Sequence, residues 1–155
     1  MRIGQVDRAI EAYQNALALT PSADEMRRGL ADALISSNRL KEALDEFGQI
    51  SDSVAKDYLR ACEVMLSMQS SGSQDTALWD RFDEAFKKAL ELSPSDPFLI
   101  ERPWTLELLQ LDSAIMRSKE LQDSQEGLKF AQQRLDELGQ KYTDSVELQR
   151  LLIQR

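Results

Sequence analysis

The chain has 155 residues, 42% of them hydrophobic and 30% charged, an ordinary globular mix at a length that suggests one domain. Its 19 Lys and Arg stand against 27 Asp and Glu, a formal net charge of -8 spread along the chain, which would repel a phosphate backbone and argues against nucleic acid. No apolar run approaches the roughly 18 residues that a bilayer span needs, and the lone Cys62 has no histidine to pair with anywhere, so neither an internal disulfide nor a Cys–His dyad can form.

Helix formers abound while glycine and proline number six and four, so helix is predicted throughout, with no sheet. The first helix carries Ala9, Tyr13, Ala16 and Leu17 on one stripe, with Asp7, Arg8, Glu11 and Gln14 outside it. Pro21 ends it. Ser22 and Glu25 are spaced as a capping box for the next helix, about 24–37, whose inward residues are Met26, Leu30, Ala33 and Leu34. A turn at Ser37 and Asn38 leads into a partner helix from Leu40 to about Ile50. Asp52 or Ser53 is expected to cap a helix over 54–68 that presents Tyr58, Ala61, Cys62, Met65 and Met68 on one face. Cys62 reads there as a small packing residue.

The polar run QSSGSQDT, 69–76, is predicted to be a mobile loop. A helix beginning near Ala77 shows Trp79, Phe82, Phe86 and Ala89 at core spacing and ends at LSPSDP. Pro103 disfavours helix at Arg102 and suits the first position of a new one, with Trp104, Leu108, Leu111 and Ile115 as its stripe. QDSQEG interrupts, and a helix from Leu128 to Lys141 follows with Ala131, Leu135 and Leu138 inward. One more helix starts at Asp144, with Glu147 completing its cap and Val146, Leu148, Leu151 and Leu152 as a stripe that nothing further covers.

These elements repeat. Ala9, Tyr13 and Ala16 stand 34 residues before Ala43, Phe47 and Ile50, and Gly4 stands 34 before Asn38. Phe82, Phe86 and Ala89, then Ala131, Leu135 and Leu138, keep the same four-then-three step. Pro21 and Pro94 fall five residues after Ala16 and Ala89, and Thr143 takes the corresponding place in the last unit. The pattern resembles the tetratricopeptide repeat, with first-helix sets at Leu30, Ala31, Leu34 and at Tyr58, Ala61, Cys62, Met65. The resemblance implies an all-α fold, a right-handed superhelical solenoid of antiparallel helix pairs. A single solenoid over 1–155 would comprise a partial repeat 1–23, a repeat 24–52, a repeat with a long loop 53–96, a divergent repeat 97–143 and a terminal helix 144–155. Both ends fall inside helix pairs, as in a piece cut from a longer protein, and their open faces would invite self-association.

The resemblance also implies a function, the capture of a segment of another protein in a groove lined by the first helix of each pair. Here that wall would expose Glu25, Arg28, Asp32, Ile35 and Ser36, then Lys56, Leu59, Arg60, Glu63, Leu66 and Ser67. Lys56 and Arg60 stand where tetratricopeptide domains that clamp chaperone C-termini keep two basic residues, while Gly29 replaces an asparagine. Solvated charge is the plainer reading of both. The chain carries no Gly-rich phosphate loop, no spaced ligand cluster and no nucleophile with a base, so neither an enzyme nor a cofactor is expected. A non-catalytic scaffold is the first reading. The alternative is a spacer section of a longer protein in a secretion, pilus or exopolysaccharide-export assembly. Compartment, whether cytoplasm or periplasm, is left open.

Overall fold

The computed structural model describes residues 3–73, 75–118 and 124–154, and no strand occurs among them. The chain divides into two compact units, Met1–Ser93 and Pro94–Arg155.

The first unit contains α1 (Ile3–Leu19), α2 (Asp24–Ser36), α3 (Leu40–Phe47), α4 (Ala55–Ser70) and α5 (Leu78–Leu92), each packed on the next. Short connections fold neighbours back antiparallel, so Arg27 at the start of α2 reaches Glu46 at the end of α3, 2.9 Å away. Helices two apart run parallel: Arg28 and Asp32 of α2 meet Asp57 and Arg60 of α4 in the same order. Val6, Ile10, Leu30, Leu34 and Ala43 form the first core, with Tyr13, Leu17, Ala33 and Ile35 packed against it. Tyr13 lies so close over α2 that a Cβ on Gly29 would stand 2.5 Å from its ring. Close approach therefore explains a glycine in a helix interior, where it costs about 0.5–1 kcal/mol relative to alanine.

Several expectations need correction here. Val6 and Ile10, not Ala9 and Ala16, are the fully buried residues of α1, because α2 crosses that edge of the stripe. Gly4 is helical, whereas Asn38, 34 residues on, makes the turn with φ 61°. Met26 points outward. No side chain caps α2; Glu25 pairs instead with Arg28, and Asp24 accepts the amides of Ser51 and Asp52. Neither Asp52 nor Ser53 caps α4, because Asp57 reaches back to accept the Val54 amide at 3.0 Å.

α4 is covered on more than the expected face: Leu59, Val64 and Leu66 are buried beside Ala61, Cys62 and Met65. It also extends to Ser70, so the expected loop begins at Ser71, where Gly72 takes φ 80°; Gln74, within that loop, lies outside the described residues. On α5, Phe82 is fully buried, edge-on to Trp79 at 5.7 Å and stacked on Phe86 at 5.9 Å.

In the second unit, α6 (Pro97–Glu101) precedes α7 (Trp104–Arg117), α8 (Gln125–Lys141) and α9 (Val146–Ile153). Asp96 caps α6 through the Leu99 amide, an element with no counterpart in the expected pattern. Arg102 is non-helical, as the following proline requires. Trp104, Leu108, Leu138 and Leu148 make the core, with Leu135, Tyr142 and Leu152 against it. Leu109 and Ser113 are buried where Leu111 and Ile115 were expected; those two are half-buried. Ser124 caps α8 through the Gly127 amide, so the helix starts three residues early and takes up half of QDSQEG; its first two residues lie outside the described ones. Ser145, not Asp144, caps α9, and Glu147 turns instead to Arg102 at 2.7 Å.

Candidate partner-binding wall

The parallel pair α2 and α4 is where the expected wall residues meet, in two rows about one helical turn apart. In the first row, Arg28 donates from Nε to Asp57 Oδ1 and from Nη2 to Oδ2, both at 2.9 Å, and from Nη1 to Glu25 at 2.6 Å. The same guanidinium donates to the Asp52 carbonyl at 2.8 Å. Hydrogen bonding to Asp57 raises its pKa above the ordinary arginine value, against the opposing effect of burial. In the second row, Arg60 bridges Asp32 at 2.9 Å and Glu63 at 2.8 Å. Burial works against its charge, but the two carboxylates outweigh it and the pKa is again raised.

The structure thus brings Glu25, Arg28, Asp32, Arg60 and Glu63 into one ordered surface, with Lys56 exposed on the same helix. It does not bring Ile35 and Leu59 there. Ile35 packs on the first core, and Leu59 is only 2% exposed, because α4 is enclosed by its neighbours. Leu66 is buried for the same reason. Asp57, which fastens the first row, was missed. Its signal was position: an acid three residues into a helix can hold the amide that precedes the helix. Both arginines are already ligated by the chain's own acids, so a partner's carboxylate would have to displace them.

Elsewhere, Glu107 accepts from Lys141 Nζ and from the Tyr142 hydroxyl, each at 2.6 Å. Burial pushes its pKa up, but the two donors outweigh this and hold it below the usual glutamate value. The buried Cys62 thiol is pushed up to about 12 by burial and donates to the Phe82 carbonyl at 3.8 Å, which leaves no thiolate for chemistry at neutral pH. Among the described residues no group of three or more His, Cys, Asp or Glu could hold a metal ion, and no helix is long and apolar enough to cross a membrane.

A family model described as Tetratricopeptide repeat matches residues 3–62, which take in α1, α2, α3 and the first half of α4. Protein O-mannosyl-transferase TMTC1 of Homo sapiens is 33% identical over 99 residues, 63% of this chain and 10% of that protein. The chain therefore matches a tenth of the length of that relative. No solved structure matches.

Proposed function

Through residues 3–62 the chain belongs to the tetratricopeptide repeat family, and from that premise we propose that it is a non-catalytic scaffold whose α2/α4 wall binds a segment of a partner protein. Repeats of this family typically mediate contact between proteins. The observation that carries the assignment to this wall is the pair of cross-helix rows, which fix charged side chains of both signs before any partner arrives. Charges held in place cost less ordering on association, and their sign pattern selects among partners. A segment carrying both signs, laid along α2 and α4, meets Glu25, Asp32 and Glu63 with its basic groups and Lys56 with its acidic ones.

The test is affinity capture from the source cell on the wild-type chain and on a Lys56→Glu, Glu63→Lys variant. Both positions are exposed, so the fold should persist, as a melt would verify. Partners held by the wild type and lost from the variant support the wall. The same partners on both place the contact elsewhere. A spacer role remains the second reading, favoured by the way Arg28 is consumed by five hydrogen bonds within the chain.

A further inference from the structure

Away from the Arg60 row of the wall, α4 borders a concavity in the first unit. A cleft of 210 Å³ lies between α3 and α5, with α4 as its floor. Leu44 and Phe47 form one side, Tyr58, Ala61 and Met65 the floor, and Ala85 part of the α5 side. The room comes from small residues facing each other, since Ala61 and Ala85 leave unfilled what larger side chains would occupy.

Size and chemistry narrow the occupant. Pockets for metabolite-sized ligands run from about 300 Å³ upward, so this cleft is too small for one and suits a single apolar anchor of a protein segment. Its edge is polar in a particular way. Arg81 and Lys88 stand two turns apart along α5 with Glu84 between them. Among the described residues, neither the Arg81 guanidinium nor the Tyr58 hydroxyl has a hydrogen-bond or ion-pair partner, and Lys88 is held only by an exposed contact to Glu91 at 3.4 Å. Asp57, which also lines the cleft, is already bound to Arg28 and the Val54 amide. The groups left to a ligand are therefore mostly donors, two cations and a hydroxyl against one carboxylate, on a chain whose net charge is -8.

We infer that this cleft is a second docking site, taking from a partner protein a leucine or phenylalanine side chain with an aspartate or glutamate beside it. The apolar side chain fills the space over Ala61 and Met65. The neighbouring carboxylate accepts from Tyr58 and pairs with Arg81 or Lys88. The inference is independent of the α2/α4 wall and survives if that wall binds nothing.

A displayed random-peptide library selected on the full chain tests it, with each enriched peptide measured on three proteins: the wild type, Arg81→Glu with Lys88→Glu, and Ala85→Phe. Ala85 is half-buried and the two cations are exposed, so these changes leave the core untouched. Enriched peptides should carry Leu or Phe next to Asp or Glu and should lose about tenfold or more in affinity on both variants. Enrichment of basic or purely polar peptides overturns the inference. So does equal binding to all three proteins, or no enrichment at all. A concentration-dependent dimer that disappears in the same variants, seen by light scattering, would assign the cleft to a second copy of the chain and overturn it equally.

Discussion

Arg28 and Asp57 meet face to face across α2 and α4, two parallel 2.9 Å hydrogen bonds joining residues 29 positions apart. Asp57 is 5% exposed and also holds the Val54 amide, so one carboxylate fastens α2 to α4 and starts a helix. Arg28→Ala would leave that carboxylate buried without its cation. The expected loss is about 2–3 kcal/mol, read from urea unfolding, and Asp57→Ala should lose a similar amount. A double variant losing the sum of the two would contradict the pairing, because coupled residues are not additive.

Gly29→Ala sets two effects against each other. Alanine favours helix by about 1 kcal/mol, but its Cβ would sit 2.5 Å from the Tyr13 ring. Overpacking of this kind costs about 1–3 kcal/mol, so the single variant should be less stable than wild type. In a Tyr13→Ala background the same change should become stabilising. Thermal melts of the four proteins read the sign directly.

Phe82→Ala removes a fully buried ring that touches Trp79 and Phe86, and should lower stability by about 3–5 kcal/mol. Tyr13 is only half-buried, so Tyr13→Ala should fall short of that. Denaturant midpoints for the pair give the order.

These sites differ in how far the sequence revealed them. The four-then-three step at Ala43, Phe47 and Ile50 reports packing that any helix pair must make, and all three residues are buried. α4 was less legible. A stripe argument presumes one face in water, yet α4 lies between α3 and α5, and Leu59, Val64 and Leu66 are buried with the stripe. That is why Leu59 was assigned to the wall. The pairing of Asp57 with Arg28 escaped because that partner lies 29 positions away, and a charge on a helix is read as solvated unless the partner is visible. That Glu25, Arg28, Asp32, Arg60 and Glu63 are charged helix residues outside the core was legible. Their mutual pairing was not, since it depends on the parallel register of α2 and α4.

Acid should weaken the second unit through Glu107. Its pKa is held below the ordinary value, so its contribution is fully present above the unfolded glutamate pKa of about 4.3 and is lost as pH falls through the lower folded value. Glu107→Gln should flatten that acid limb. The loss at neutral pH should be no more than about 1 kcal/mol, since both partners are partly solvated.

Cys62 supplies a probe of opening. Buried and with its pKa pushed up to about 12, it should resist a thiol reagent at neutral pH in the native protein. Labelling should follow α4–α5 separation, so Phe82→Ala should speed it. Fast native labelling would show that the thiol is accessible.

The most direct measurement is hydrogen–deuterium exchange on the chain with a captured partner bound. Recognition by the wall predicts slower exchange in Asp24–Ser36 and Ala55–Ser70, with the row of Arg60, Asp32 and Glu63 at its centre. Protection confined to other helices, or no protection anywhere while the partner stays bound, would contradict it.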